Sequence, residues 1–143
     1  MTETRVPPED CSSAMHENDH ATKALGMKLV STALGESVVS MAVRQDMLNG
    51  YGSCHGGMIF SLADTAFAHA CNSGNKPTVA SSCTIDYIAP AKQNDTLTAR
   101  ASERSRSGRT GVYDVEVFNQ NDNLVAVFRG RSYQLSGTIV PEE

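Results

Sequence analysis

The stretch HGGMIFSLADTAFAHACNS, residues 55–73, decides the fold. It opens with two glycines and continues as a nearly unbroken run of apolar residues, which predicts a long helix that begins near His55. At about 100° per residue, its larger apolar side chains share one stripe that we expect to face a core. The stripe consists of Ile59, Leu62, Ala63, Ala66, Phe67 and Ala70.

Strand-like segments lie on both sides of this helix. Before it, residues 27–34 and 37–43 are rich in β-branched residues and meet at Gly35-Glu36, which predicts a hairpin. After it come four more β-rich runs, separated by turn residues, with connections too short for the helical crossovers of a parallel sheet. The predicted class is therefore α+β, with one antiparallel sheet wrapped around a long central helix.

The N-terminal part is predicted to be simpler. Residues 1–10 contain Pro7-Pro8 and several acids, so we expect a frayed tail. Ser12 or Ser13 is expected to cap a helix that runs to Leu25 and ends at Gly26. With 143 residues, the chain is expected to form a single domain, residues 1–143.

Composition excludes several classes of function. The net charge of −4 and the pI near 5.5 argue against binding nucleic acid through the overall field. We find no basic leader and no run of ~18 apolar residues, so we expect a cytoplasmic protein without a membrane partner. Cys11, Cys54, Cys71 and Cys83 lack the spacing of a metal site, so we expect reduced thiols and no metal.

Asp64 is the unusual residue of the predicted helix. It lies about 130° from the centre of the apolar stripe, on the side of Phe60 and Phe67, where an ionised carboxylate loses hydration. Either it faces solvent beside Ser61 and Thr65, or it accepts hydrogen bonds from a nearby loop, or it is a functional group.

A second unusual feature stands at the start of the same helix. His55-Gly56-Gly57 places free backbone N–H groups where the helix dipole favours negative charge, which is the geometry of an oxyanion hole. A Gly-Gly pair, like Asn49-Gly50 just upstream, is also typical of an ordinary turn.

Several segments together resemble one known family, the hotdog-fold acyl-CoA thioesterases. They are LNG (48–50), SCHGGMIFSLADTAFAHACNS (53–73), SSCTIDYIAPA (81–91) and GRTGVYDVEVFNQ (108–120). The resemblance runs from about residue 15 to residue 138 and is strongest for the bacterial branch that acts in phenylacetic acid degradation. It implies a single hotdog domain that hydrolyses phenylacetyl-CoA or ring-hydroxylated phenylacetyl-CoA. It also implies no cofactor beyond the coenzyme A of the substrate, and a tetramer built as a dimer of dimers with active sites at the dimer interface.

The resemblance also implies catalytic residues. Asp64 matches the carboxylate that acts as nucleophile or general base, and Gly56 matches the residue whose N–H polarises the thioester carbonyl. Asn49 matches the loop residue that orients water or substrate. Ser82 matches a strand hydroxyl that helps to position the water.

Further residues are expected to bind the substrate. His55 and Gly57 belong to the same motif and shape the loop, whereas Met58, Phe60 and Phe67 would line an apolar acyl pocket unless they are simply core. The coenzyme A phosphates are expected to meet local basic side chains, which could equally be a solvated hairpin edge. These are Lys92, Arg100, Arg104, Arg106 and Arg109, while Arg129 and Arg131 could form ion pairs.

Two other functions remain compatible with the sequence. In a hydratase or dehydratase for acyl thioesters, His55 and Asp64 would share proton transfer. A non-catalytic acyl-CoA-binding protein would tolerate replacement of Asp64.

Overall fold

The computed structural model describes residues 5–142. The helices are α1 (Pro8–Glu17), α2 (His20–Ala24) and α3 (Gly56–Cys71), with one 3-10 turn at Gln45–Met47. The strands are β1 (Lys28–Ala33), β2 (Glu36–Ala42), β3 (Thr78–Tyr87), β4 (Thr96–Ser107), β5 (Thr110–Phe118) and β6 (Leu124–Gln134).

The strands form one antiparallel sheet in the order β1-β2-β4-β5-β6-β3. The helix α3 contacts all six of them, so the sheet curves around it. The predicted α+β class, a sheet wrapped around one long helix, is confirmed. Both predicted hairpin strands and all four later strands are present.

The apolar stripe of α3 faces the core as predicted. All six of its residues are buried, and Leu62, Ala63, Ala66 and Ala70 are fully enclosed. Alternate residues of the central strands cover them, including Val39, Met41, Leu97, Val115 and Val117. This burial against the sheet stabilises the helix, whose glycines at the start are poor helix formers.

The expected helix at the N-terminus is wrong in its bounds. Two helices replace it, and the first begins at Pro8, inside the expected tail. Proline suits the first helical position, because it lacks the N–H that would be unsatisfied there. The chain breaks at Asn18 and restarts, because the Asp19 carboxylate caps α2 by accepting from the Thr22 N–H at 3.0 Å and the Thr22 hydroxyl at 2.6 Å. Residues 1–4 of the expected tail lie outside the described part of the chain.

A buried polar contact fixes α1 to the far end of α3. The His69 ring Nδ1 lies 3.0 Å from the Ser12 hydroxyl, which in turn lies 2.8 Å from the hydroxyl of Thr32 on β1. Burial lowers the pKa of His69 to about 4, so its ring is neutral at pH 7. This contact holds the N-terminal helices against the body of the protein.

The ring of Phe67 lies at the centre of the core. It contacts Tyr113 and Phe128, and it crosses the sheet directly over Gly130 on β6. A Cβ added at Gly130 would lie 2.8 Å from three carbons of that ring. Gly130 is therefore required by the close approach of the phenylalanine.

We predict that Gly130→Ala lowers the free energy of unfolding by about 1–3 kcal/mol, because the added methyl overpacks the core. Chemical denaturation measures this directly. Gly50→Ala is the matched control, since a Cβ there meets nothing within 4 Å, and its effect is expected to stay within about 0.5 kcal/mol. Equal effects of the two substitutions would contradict this description of the core.

Candidate active site

The start of α3 presents one open backbone donor. The His55 ring Nδ1 accepts from the Gly57 N–H at 2.9 Å, and the His55 carbonyl accepts from the N–H groups of Met58 and Ile59. Within residues 5–142, nothing accepts a hydrogen bond from the Gly56 N–H. Because this N–H lies at the positive end of the helix dipole, it is suited to bind an oxygen that carries negative charge. Of the two glycine amides of the motif, Gly56 is the one left open.

Asn49 presents a second donor. Its side-chain oxygen accepts from the backbone N–H groups of Tyr51, at 2.9 Å, and Ser53, at 3.2 Å. Two backbone donors require the oxygen at that position, so the amide nitrogen of Asn49 is the other end, and it has no acceptor among the residues that the structure describes. The geometry favours a donor to a substrate oxygen over the orientation of a water by the carbonyl end.

Asn49 and Gly56 line the same open groove, of about 360 Å³, which we call the amide groove. Its walls come from the 49–56 loop and from the end of β3 and the residues after it. Its lining residues are Asn49, Ser53, Cys54, Gly56, Ile59, Tyr87, Ile88, Ala89 and Pro90.

Asp64 lies in a different groove, of about 270 Å³, which we call the carboxylate groove. The helix α2 and the residues after it form one wall, and the exposed side of α3 forms the other. The lining residues are Asp19, Ala21, Thr22, Leu25, Met27, Phe60, Ser61, Asp64, Thr65 and Ala68.

The Asp64 carboxylate is half-buried, and two hydroxyl groups lie beside it in the same groove. The neighbouring hydroxyls of Ser61 and Thr65 donate to helix carbonyls instead, each at 2.8 Å. No hydrogen bond or ion pair reaches Asp64 from any residue that the structure describes. Burial alone raises the pKa of Asp64 above the ordinary carboxyl value. A carboxylate in this state is a stronger base than one in water.

Nearby thiols are unsuited to replace Asp64 as nucleophile. All four cysteines are free, as predicted, but burial raises the pKa of Cys71 to about 12 and that of Cys54 to about 11. Burial also raises the pKa of Cys83, and the Asp64 charge adds to the effect. These thiols stay protonated at neutral pH and are poor nucleophiles.

The two grooves are too far apart to act on one bond within a single chain. Gly56 precedes Asp64 by eight helical residues, which is about 12 Å along the axis. A thioester oxygen held by the Gly56 N–H lies within about 3 Å of it, out of reach of the same chain's Asp64. The open Gly56 N–H and the Asp64 carboxylate of one chain therefore face separate grooves.

Four further predicted positions can be placed in the structure. Ser82 is exposed on β3, and its strand neighbour Cys83 packs against the core. The role of Ser82 in positioning the water stays a prediction. Phe67 is core rather than pocket lining. Phe60 does line the carboxylate groove, whereas Met58 packs against the core.

The predicted basic cluster lies partly in intramolecular contacts. Arg129 pairs with Asp114 at 2.7 Å, as considered from the sequence, and Arg104 reaches the same carboxylate at 3.4 Å. The guanidinium of Arg106 donates to the side chain of Gln134, at 2.8 Å. Arg104 and Arg129, with Arg100, line a groove on the outer face of the sheet, away from both grooves of the site.

The sequence did not single out Tyr87. Its hydroxyl donates to the Gly56 carbonyl at 2.8 Å, and its ring lies against the Gly56 Cα. Strand alternation puts Tyr87 on the helix side with Cys83 and Ile85, which was the one signal available.

Metal ligation and membrane spanning are two further features of the chain that bear on function. Among residues 5–142, no three side chains of the types that ligate metals come together. No helix in that range is both long and apolar enough to span a membrane.

Comparison with known proteins defines the class. A model of the thioesterase superfamily matches residues 51–126. Acyl-coenzyme A thioesterase PaaI of Escherichia coli K12 is 54% identical over 129 residues, which are 90% of this chain and 92% of that one. The chain therefore belongs to the thioesterase superfamily, and it is a thioester hydrolase with the hotdog fold.

Solved structures of related proteins superpose on this chain and agree with this class. The E. coli PaaI protein superposes with a TM-score of 0.90 at 52% identity, covering 92% of this chain and 95% of that one. A variant of phenylacetic acid degradation protein PaaI from Thermus thermophilus gives 0.79 at 44% identity, covering 82% of this chain and 100% of that one. A Streptococcus mutans protein bound to acetyl CoA gives 0.74 at 30% identity, covering 78% and 90%.

We predict that Asp64→Asn raises the free energy of unfolding at pH 7. Because burial raises the native pKa, native Asp64 holds its proton to higher pH than the unfolded chain, and stability falls as pH rises through that window. The gain from asparagine should therefore shrink on acidification and vanish below the ordinary carboxyl value, as denaturant titrations at several pH values would show. A gain from Asp64→Asn that is the same at pH 3 and pH 7 would contradict the assignment.

Proposed function

We propose that this enzyme hydrolyses acyl-coenzyme A thioesters to the free acid and coenzyme A, with phenylacetyl-CoA and ring-hydroxylated phenylacetyl-CoA as substrates. The observation that supports the reaction is the combination of an open Gly56 N–H and a half-buried Asp64 carboxylate to which no residue among 5–142 donates a hydrogen bond. The relatives support the substrate class, since one is named as an acyl-coenzyme A thioesterase, one as a phenylacetic acid degradation protein, and one was solved with acetyl CoA.

The complete site forms between two subunits in this proposal. The edge strand β3 supports it: it pairs with β6 on one side and with no described strand on the other. Val79 and Tyr87 on this strand are about half exposed, at 47% and 50%. Pairing two β3 strands about a twofold axis would cover the open edge and bring the amide groove of one subunit to the partner's Asp64. Two such dimers would join into a tetramer.

The two amide donors stabilise the transition state. Attack on a thioester moves negative charge to the carbonyl oxygen, which the Gly56 N–H and the Asn49 side-chain amide of one subunit would receive. Each donor of this kind is worth about 3 kcal/mol in other hydrolases. Because both groups are held by hydrogen bonds before substrate arrives, little reorganisation is needed.

The partner subunit's Asp64 supplies the second requirement. As a general base, it takes a proton from water while the water oxygen bonds to the carbonyl carbon, and the C–S bond then breaks to release the thiolate, which takes up a proton. As a nucleophile, its oxygen bonds to the carbonyl carbon while the C–S bond breaks and the thiolate leaves, and water then hydrolyses the mixed anhydride to the free acid and the Asp64 carboxylate. Neither route needs a cofactor, because coenzyme A enters the site only as part of the substrate.

The carboxylate groove suits an apolar acyl group. Leu25 and Met27 form one side of it, and Phe60 and Ala68 form the other. The hydroxyls of the groove are already bonded, those of Ser61 and Thr65 to α3 carbonyls and that of Thr22 to the Asp19 carboxylate. The groove therefore offers a small aromatic ring mainly apolar contacts.

A hydratase is less well supported by the geometry. It needs a histidine that takes part in proton transfer, but the His55 Nδ1 already accepts from the Gly57 N–H. A non-catalytic acyl-CoA-binding protein remains the contrasting case, because ligand binding does not require Asp64.

We predict that the wild-type enzyme releases thiol from phenylacetyl-CoA faster than from straight-chain acyl-CoA thioesters, followed with a thiol-reactive dye. Asp64→Asn should lower kcat at least ~10²-fold, because the amide can neither attack nor accept the proton. The wild-type rate should rise with pH as Asp64 ionises, above the ordinary carboxyl range.

Asp86→Asn, which changes an exposed carboxylate on the outer face, is the control and should keep wild-type turnover. Thioester binding without thiol release by the wild type would contradict the hydrolase. Water loss from 3-hydroxyacyl thioesters would instead indicate the dehydratase. Faster release from straight-chain thioesters would overturn the aromatic substrate class alone.

A further inference from the structure

Tyr87, to which the sequence analysis assigns no role, lies beside Gly56, whose N–H is open. It is the last residue of β3, and its side chain crosses from the sheet to the first turn of α3. Its hydroxyl donates to the Gly56 carbonyl at 2.8 Å. The same tyrosine thus lies in the amide groove and bonds to the residue that supplies the oxyanion donor.

The ring also determines which residue can occupy position 56. A Cβ built on Gly56 would lie 3.0 Å from both the Cζ and the hydroxyl oxygen of Tyr87. Such a contact is tighter than real Cβ atoms normally show, so either the ring or the helix start would shift. Glycine at 56 and tyrosine at 87 therefore form a matched pair.

Because position 56 is a glycine, the start of α3 needs a further contact to hold the Gly56 backbone in one orientation. Gly56 and Gly57 are adjacent, and glycine has the largest backbone freedom of any residue. The first turn of a helix also lacks intrahelical acceptors for its N–H groups, so it frays easily. An oxyanion donor must instead be held close to one orientation, because small errors in position weaken its effect on the transition state.

Hydrogen bonds hold the Gly56–Gly57 peptide unit from both ends. Tyr87 donates to its carbonyl oxygen, and its N–H, that of Gly57, donates to the His55 ring at 2.9 Å. With this peptide fixed on one side and the His55 carbonyl bonded by Met58 and Ile59 on the other, the Gly56 N–H between them has a defined direction.

We propose that Tyr87 is a positioning residue for catalysis, which orients the Gly56 N–H toward the thioester oxygen through its hydrogen bond to the Gly56 carbonyl. This inference rests on the proposed function. Burial raises the pKa of Tyr87 above its ordinary value, so the hydroxyl remains a donor across the neutral range. Since Tyr87 ends the edge strand, the same residue also links the proposed subunit interface to the oxyanion donor.

The test is Tyr87→Phe, which keeps the ring against Gly56 and removes only the hydroxyl. We expect kcat for phenylacetyl-CoA to fall about fivefold with KM unchanged, because one net hydrogen bond is lost and only the transition state depends on donor direction. Tyr133→Phe is the matched control, since Tyr133 on β6 is similarly exposed, at 44%. It should leave both constants unchanged.

A spectroscopic measurement separates positioning from a general loss of active protein. In an Asp64→Asn background the thioester stays intact, so the infrared stretch of a ¹³C-labelled carbonyl reports its polarisation in folded, loaded protein. Adding Tyr87→Phe should shift this band toward the frequency of the free thioester, whereas adding Tyr133→Phe should not. An unchanged band and unchanged kcat, or a raised KM with unchanged kcat, would overturn the positioning role. A wild-type enzyme that releases no thiol would instead overturn the proposed function itself.

Discussion

The hydrogen bond from the Gly57 N–H to the His55 ring is the constraint on which the site depends. It occupies one of two adjacent glycine amides at the start of α3 and leaves the other, Gly56, as the open donor. A helix start normally leaves several N–H groups to water, which would compete for any ligand without selecting a position. Here the selection is made by a side chain within the motif itself, before a substrate arrives.

Two turns later, the same helix carries a charged group, the Asp64 carboxylate, that its surroundings destabilise. Asp64 lies where burial disfavours its charge and where none of the described residues, 5–142, compensates that charge with a hydrogen bond or an ion pair. A protein selected only for stability would place an apolar or amide side chain here. The cost is tolerable because it is local, while the stripe on the buried side of α3 packs against all six strands. Stability and reactivity thus come from different faces of one helix.

Much of this architecture follows from sequence periodicity. The stripe of α3, the hairpin at Gly35 and the antiparallel order of the later strands were predictable, because burial in each case repeats with the period of the element. The N-terminal helices were not, because their bounds depend on Asp19 capping a second start, a contact that competes with simple continuation of the helix.

The approximate place of the site was also predictable, since a carboxylate in an apolar helix and a glycine pair at its start are both locally unusual. Whether Phe67 is core or pocket lining could not be decided from the sequence, because the depth of an aromatic ring depends on tertiary packing. Tyr87 was missed because its partner is a backbone carbonyl, which leaves no mark in the sequence.

The central claim is that Asp64 of one subunit acts on a thioester held at Asn49 and Gly56 of the other. Subunit complementation tests it most directly. Asn49→Ala and Asp64→Asn are each prepared alone and then as mixed oligomers, by co-expression with two different tags. If sites form between subunits, about half of the randomly formed dimers contain one subunit of each variant, and each of these dimers has one intact site out of two. The mixture should therefore recover about a quarter of the wild-type kcat from two inactive parents. A mixture that stays as inactive as its parents would show that each site lies within one chain and would contradict the account.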